Sequence, residues 1–238
     1  MMLLSLLLTV ALLSSPTDPR NGQELLALMR RVTTYRTMTF VQTTRFPNRP
    51  EETWYESAQL PGRLRIDMAP LDSQRVAIFR NDSVYSMRIG RPVRGRPYVH
   101  GLMLLLGDVF VMPVDSAAAK LTAQGFDLSK LYRTMWEGRP TFVVGATAGD
   151  TVTPQFWIDA ERLYLVRMIE REPDGTRMDA HVTAHQRVGD IWVETEMTFY
   201  RNGQEIQREI YNDVRVNQEL NPLIFEPDAY RRPEWIRP

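Results

Sequence analysis

The sequence predicts a mainly β protein built on one large curved antiparallel sheet with a helical cover. Hydrophobicity alternates with a period of two through four short runs between Thr53 and Ile89. Strand-like runs return at regular spacing between Leu131 and Val216, with turn residues between them. Helix signals are confined to the start and the middle of the chain, which fits a sequentially wound sheet better than parallel βαβ units.

Composition limits the classes of function. The 238 residues include 29 basic and 29 acidic side chains, and this net charge of zero gives no field that would attract nucleic acid. The absence of cysteine excludes thiol chemistry, disulfides, cysteine zinc sites and a lipidated N-terminal cysteine. We expect a single domain over residues 21–227, followed by an extended tail over residues 228–238.

The N-terminal run Met1–Leu13 is apolar and uncharged. It is shorter than the ~20 residues that usually span a membrane, and it suits the core of a signal peptide. We therefore predict a signal peptide over residues 1–15, cleavage near Ser15 and export to the periplasm. A retained N-terminal helix is the alternative.

The first elements of the domain are a helix and a strand. Asn21 and Glu24 resemble a capping box, and apolar residues then recur at helical spacing, which predicts a helix over about Gln23–Tyr35. From Met38 to Arg45 the β-branched and aromatic content rises, which predicts the first strand.

The alternation between Thr53 and Ile89 predicts a β-meander. Ala69-Pro70 ends one strand, and Asn81-Asp82 forms a tight reversal between two others. The alternation assigns Leu64, Ile66 and Met68 to the inner face and Arg63 and Arg65 to the solvent.

The middle of the chain is expected to cover the sheet. Gly90–Pro97 is rich in proline, glycine and arginine, which predicts a loop. Tyr98–Met112 is almost wholly apolar and must be covered by protein or by ligand. Asp115 is expected to cap a helix over Ser116–Gln124. The later strands are predicted at Leu131–Trp136, Thr141–Ala146, Thr153–Asp159, Leu163–Glu170, Met178–Arg187, Ile191–Tyr200 and Ile206–Val216.

Side chains with catalytic or metal-binding potential are few. On one strand, His181 and His185 would lie about 13 Å apart at roughly 3.3 Å per residue, which is too far for a shared ion. Strict alternation through Val193, Met197 and Phe199 places Glu194 and Glu196 together on the solvated face. Motifs for a nucleophile elbow, a zincin or a nucleotide site are absent from the sequence. We therefore expect no enzymatic activity, no metal and no cofactor.

A wide sheet can enclose a cavity with aliphatic walls, and the 12 methionines suit a wall that adapts to varied shapes. Composition alone also allows a filled core capped by an apolar helix.

Several segments resemble the LolA/LolB-like lipoprotein carriers of Gram-negative envelopes. The tryptophan strand, the proline turn and RLRID of the meander are similar to that family, and so, in order and spacing, are QFWID (Gln155–Asp159) and VRVNQELNPLIF (Val214–Phe225). The resemblance implies an open, incomplete β-barrel whose helical lid and sheet hold acyl chains between them. It also implies partners, namely an inner-membrane release complex and an outer-membrane acceptor. Family members often carry an arginine that contacts the lid just before the proline that ends the second strand; here that position is Leu60, so the resemblance does not carry the role of that arginine over to this chain.

The function predicted from these observations is a non-catalytic periplasmic carrier for acyl chains of lipoproteins or of another lipid. The alternative is an envelope-stress regulatory module of the same fold that contacts a membrane protein. Tyr98–Met112 is expected to form a movable lid. The predicted ligand-binding residues are Leu64, Ile66, Met68, Met87, Leu102, Leu105, Leu106, Val109, Phe110, Val166, Met168, Val193 and Met197.

Overall fold

The structure is a computed structural model that describes residues 18–89, 91–172, 174–228 and 231–236. The predicted signal peptide over residues 1–15, including Met1–Leu13, lies outside the described residues. In the described part of the chain, no helix combines the length and the apolar composition needed to cross a membrane.

The described residues form one sheet of thirteen antiparallel strands. Two meanders, β1 to β6 and β7 to β13, meet where β1 pairs with β13, so the sheet order is β6-β5-β4-β3-β2-β1-β13-β12-β11-β10-β9-β8-β7. The end strands β6 and β7 do not pair with each other, so the sheet stays open and the predicted fold class is confirmed. The strands are β1 Thr37–Phe46, β2 Arg49–Gln59, β3 Arg63–Met68, β4 Arg75–Arg80, β5 Ser83–Arg88, β6 Arg91–Pro97, β7 Leu131–Trp136, β8 Arg139–Val144, β9 Gln155–Asp159, β10 Leu165–Arg171, β11 Arg177–Val188, β12 Ile191–Arg201 and β13 Gln204–Val216.

One predicted loop is a strand. The segment predicted as a loop at Gly90–Pro97 contains β6, which pairs with β5 at the edge of the sheet. Proline lacks an N–H for the ladder, but an edge strand has one side without a neighbour and tolerates it. The proline and glycine content therefore indicated the edge of the sheet and not a loop standing off it.

Within the described ranges, three helices lie between sheet and solvent. Helix α1 (Gly22–Met29) begins at Asn21, whose side chain accepts a hydrogen bond of 2.9 Å from the Glu24 backbone N–H. Helix α2 (Gly101–Leu106) and a short 3-10 turn (Asp108–Phe110) occupy the apolar segment. Helix α3 (Val114–Ala123) begins after Pro113, so the predicted cap at Asp115 is wrong; Asp115 instead lies in the first turn and accepts a hydrogen bond from the Gln23 side chain.

The segment after β13 covers the outer face of β3. Arg65 alternates with Leu64 and Ile66, as expected, but its exposure is 0%. The prediction that Arg65 faces solvent is therefore wrong. Its guanidinium donates to both Asp67 carboxylate oxygens at 2.6 and 2.8 Å and to the Ile224 carbonyl at 2.7 Å. Further along, the Trp235 indole N–H donates to the Ser57 hydroxyl at 2.8 Å.

Candidate functional site

The inner face of the sheet and helix α2 enclose a cavity of about 990 Å³. This volume is at the upper end of the ~300–1,000 Å³ that is usual for small-molecule sites. The strands supply alternate side chains to the wall, as their period of two requires. The apolar side chains that line the sheet side of the cavity are Met38, Phe40, Trp54, Ala58, Leu60, Leu64, Ile66, Met68, Ala77, Phe79, Met168, Met178, Ala180, Met197, Phe199 and Ile206.

Helix α2 presents different side chains to the cavity and to the protein core. Leu102, Met103 and Leu106 line the cavity. Leu104 and Leu105 are 1% and 0% exposed and pack in the core cluster that also contains residues of α1 and α3; Leu102 also belongs to this cluster, and Leu106 packs against it. One side of α2 is therefore held by protein, and the other is available to a bound molecule.

The entrance to α2 is a cluster of aromatic rings. The His100 ring lies 4.9 Å from the Phe79 ring and 5.8 Å from the Tyr98 ring, measured between centroids. Burial lowers the pKa of His100 to about 4, so the imidazole is neutral at physiological pH. The His100 side chain accepts a hydrogen bond from the Met103 N–H and thereby caps the helix.

The far end of α2 is attached to the turn between β2 and β3. The Gly62 N–H donates to Asp108 Oδ1 at 2.8 Å. Burial raises the pKa of Asp108 to about 6. A Cβ at Gly107 would lie 2.5 Å from Leu60 Cδ2, so the Leu60 side chain packs directly against the backbone at Gly107. Leu60 therefore contacts the covering segment by packing, at the position where the resembled family often has an arginine.

Three glutamates form an acidic floor in the cavity: Glu56 on β2, Glu194 on β12 and Glu209 on β13. They are 5%, 6% and 7% exposed. Glu209 accepts hydrogen bonds from the Tyr211 hydroxyl at 2.8 Å and from Gln207 Nε2 at 2.6 Å. In the described part of the chain, none of the three forms an ion pair.

Burial shifts the titration of the acidic floor. It raises the pKa of Glu194 to about 7 and raises the pKa of Glu56 well above its usual value, to which the neighbouring Glu209 and Glu194 contribute. The pKa of Glu209 is also raised by burial, against the effect of its hydrogen-bond donors. Glu194 therefore titrates close to neutral pH, and burial favours the protonated form of Glu56 and Glu209 as well.

The prediction that Glu194 is solvated beside Glu196 is wrong, and the pairing of β12 with β11 explains why. His185 pairs with Glu194 and the adjacent Ala184 pairs with Glu196, so the register skips Thr195. Because adjacent residues of a strand face opposite sides, this irregularity places Glu194 and Glu196 on opposite faces. Glu196 instead accepts hydrogen bonds from Arg208 and Thr183 outside the cavity.

Comparisons with known proteins agree with this architecture. The sequence matches no protein-family model and no curated protein. A structure of a DUF1329 family protein from Desulfovibrio piger superimposes with a TM-score of 0.62 at 14% identity, covering 88% of this chain and 98% of that chain. A putative outer membrane lipoprotein-sorting protein domain from Vibrio parahaemolyticus gives a TM-score of 0.56 at 11% identity, over 87% of this chain and 97% of that chain. A LolA superfamily protein from Nitrosomonas europaea gives 0.56 at 9% identity, over 87% and 98%.

The fold is LolA-like. The overall fold is thus shared with these structures at identities of 14% and below.

The LolA-like fold brings about half of the predicted ligand-binding residues to the cavity, and the others lie elsewhere. Met87 packs with Val76 and Ile78 on the outer face, and Val166 packs with Trp157. Val193 is fully buried without lining the cavity. The predicted residues that line the cavity are Leu64, Ile66, Met68, Leu102, Leu106, Met168 and Met197. Those that pack in the core around α1 and α3 are Leu105, Val109 and Phe110.

Sequence reasoning missed the polar part of the cavity. Glu56 lies between Trp54 and Ala58 at a period of two, and Glu209 lies in the same relation to Tyr211, so both glutamates share a face with apolar side chains. That alternation was a usable signal in the sequence. His181 and His185, which were considered as metal ligands, lie among aromatic rings: His181 beside Trp136, and His185 stacked on Tyr164 at 3.7 Å between ring centroids. The residues that the structure describes contain no group of three or more side chains suited to hold a metal ion.

Proposed function

We propose that this protein is a non-catalytic periplasmic carrier that shields an acyl chain of a lipoprotein or another lipid between the inner face of the sheet and helix α2. The observation that carries the proposal is the 990 Å³ cavity, with its aliphatic, methionine-rich wall beneath a helix whose opposite side is anchored in the core. An alkyl chain gains about 0.8 kcal/mol for every CH₂ that it buries, so ten methylenes contribute roughly 8 kcal/mol. Such a cavity suits long-chain ligands.

The proposed carrier acts in transport between the inner and the outer membrane. One structure with the same fold is named as a putative outer membrane lipoprotein-sorting protein domain, and the apolar run Met1–Leu13 supports export. In this proposal an inner-membrane release complex loads the carrier and an outer-membrane acceptor unloads it. In this proposal the Tyr98–Met112 cover moves by exchanging the contacts of Leu102, Met103 and Leu106, while Leu104 and Leu105 stay packed in the core. These cavity-side residues contact protein when the cavity is closed and ligand when it is loaded, so the two states differ little in free energy.

The acidic floor does not favour an enzyme. Acid/base catalysis by two carboxyl groups requires environments that push their pKa values apart, so that one is protonated while the other is ionised. Burial instead raises the pKa values of Glu56, Glu194 and Glu209 together. Among the described residues, none of the three is held in its ionised form by an ion pair, which supports a binding role.

The test compares an apolar-to-aspartate change inside the cavity with one outside it. Binding of the uncharged dye N-phenyl-1-naphthylamine, and its displacement by palmitate, are measured by fluorescence. Leu106→Asp, in the cavity wall, is expected to weaken dye and palmitate binding at least tenfold, because a carboxylate replaces apolar contacts with the ligand.

The control is Met135→Asp on β7, where the native side chain is 59% exposed and not part of the cavity wall. Both variants should unfold cooperatively. Unchanged binding by Leu106→Asp, or no binding of dye and palmitate by the parent protein, contradicts the carrier proposal.

A further inference from the structure

The acidic floor spans neighbouring strands of the sheet. Its members lie on β2 (Glu56), β12 (Glu194) and β13 (Glu209). In the sheet order β2-β1-β13-β12 only β1 separates these strands. The three carboxyl groups influence one another electrostatically, since Glu209 and Glu194 both act on Glu56, and Glu209 acts on Glu194. They form one cluster at one side of an otherwise apolar wall.

Two members of this cluster lack a partner side chain. Glu56 and Glu194 are at least nine-tenths buried, line the cavity, and receive no side-chain hydrogen bond and no cation among the described residues. A buried carboxyl group without a partner costs free energy, so its place in a cavity wall indicates a partner that enters the cavity. The lack of donors at Glu56 and Glu194 does not follow from the clustering itself, because Glu209 belongs to the same cluster and accepts hydrogen bonds from Tyr211 and Gln207.

The charge of the remaining wall has the same sign. Four further carboxylates, Glu170, Glu172, Asp174 and Asp179, line the cavity, against Arg171 as the one lysine or arginine among its described lining residues. Asp179 is paired with Arg167 and Arg177, and Glu172 with Arg201, so Glu170 and Asp174 are the two of these four without an ion pair among the described residues. An anionic headgroup placed here would face repulsion, and an uncharged lipid would bring no countercharge to Glu56 and Glu194. An ammonium group offers three N–H donors and a positive charge to the same site.

We propose that the acidic floor is a subsite for the ammonium group of a long-chain amphiphile whose alkyl part lies along the aliphatic wall. The inference rests on the proposed carrier function and specifies the chemical class of its cargo. Glu56 and Glu194 supply the acceptors, and Glu209, held by Tyr211 and Gln207, supplies a third carboxyl group beside them. Met38, Phe40 and Ile66 belong to the apolar wall against which the chain would pack.

The experiment compares three ligands that share a sixteen-carbon chain: hexadecylamine, hexadecanol and palmitate. Each displaces N-phenyl-1-naphthylamine from the protein at one neutral pH. The subsite predicts that hexadecylamine binds at least tenfold more tightly than hexadecanol, and that palmitate binds more weakly than hexadecanol. The Glu56→Gln, Glu194→Gln double variant should lose the preference for the amine while its affinity for hexadecanol changes less than threefold.

The matched control is Glu196→Gln, which makes the same chemical change on the same strand but on the opposite face. It should retain the full preference for the amine. Equal binding of amine and alcohol by the parent protein, or equal loss of both in the double variant, overturns the ammonium subsite and leaves the carrier proposal intact. Failure of the dye and of all three ligands to bind overturns both.

A second pair of ligands separates the possible sources of the amine. A palmitoylated dipeptide with a free amine is compared with its N-acetylated form and with hexadecylamine. A loss of at least tenfold on acetylation supports the subsite, and no loss contradicts it. If acetylation weakens binding, the relative affinity of the two amines identifies the source. Tighter binding of the lipopeptide than of hexadecylamine indicates that the amine belongs to a lipidated polypeptide. Tighter binding of hexadecylamine indicates an amino lipid.

Discussion

The two faces of the sheet differ in how they treat buried charge. On the outer face, Arg65 and Asp67 form a 2.6 Å ion pair at 0% and 2% side-chain exposure, and Asp159 pairs with Arg139 at 2.5 Å. On the inner face, Glu56 and Glu194 are buried and line the cavity with no ion pair among the described residues. On the outer face, paired charges hold the covering segment. On the inner face, the unpaired acids can bind protons or a molecule that enters the cavity.

The largest expected effect comes from breaking the outer pair. Asp67→Asn leaves the Arg65 guanidinium buried without its carboxylate, and loss of one partner of a buried pair costs about 3–5 kcal/mol. Urea unfolding measures the change in the free energy of unfolding. On the inner face, Glu56→Gln should raise this free energy at pH 7, because burial raises the pKa of Glu56 and the substitution removes the resulting loss of stability above pH 4.5. A loss below about 1 kcal/mol in Asp67→Asn, or any loss in Glu56→Gln, would abolish the contrast between the faces.

The second-largest expected effect is a pH dependence of the free energy of unfolding that arises from Glu194 on the inner face. The pKa of Glu194 is raised to about 7 in the folded protein, against an unfolded value of 4.5. The folded state therefore binds more protons in this interval, and this contribution to stability is present below pH 4.5 and is lost as the pH rises to about 7. At about 1.4 kcal/mol per pKa unit the loss is roughly 3 kcal/mol.

The measurement is the unfolding free energy of the parent and of Glu194→Gln at pH 5 and at pH 8. Asp108 acts in the same direction, whereas His100 and His185, whose pKa values are lowered to about 4, act in the opposite direction below pH 6.5. Because these groups are present in both proteins, the difference between the two pH profiles reports Glu194 together with its effect on the pKa of the neighbouring Glu56. Parallel profiles would show that Glu194 is not a buried acid.

The smallest expected effect concerns the segment that covers the outer face. Trp235→Phe removes the indole donor to the Ser57 hydroxyl, which is a 2.8 Å hydrogen bond, and keeps an aromatic ring beside Tyr55. A hydrogen bond of this kind contributes about 1 kcal/mol to the free energy of unfolding. A change near zero in urea unfolding would mean that residues 231–236 do not stabilise the sheet, and ligand affinity should be unaffected in either case.

The sequence predicted the strands well because period-two alternation is a direct consequence of the half-buried sheet, as Leu64, Ile66 and Arg65 illustrate. It failed where a single local feature changed the pattern. The irregular register at Thr195 moved Glu194 to the inner face, and an edge position allowed β6 to contain prolines. The burial of Arg65 depends on the segment around Ile224, which is 159 residues away in the chain, and alternation carries no information about such distant contacts.

The most direct test of the central claim, that the inner face binds a lipid, is native mass spectrometry of the protein purified from the periplasm under mild conditions, followed by identification of the released molecules. The account predicts one long-chain molecule per protein, enriched in compounds that carry an amine, and its loss in Leu106→Asp but not in Met135→Asp. Recovery of the parent protein without any bound lipid, together with no uptake when long-chain amphiphiles are added, would contradict it.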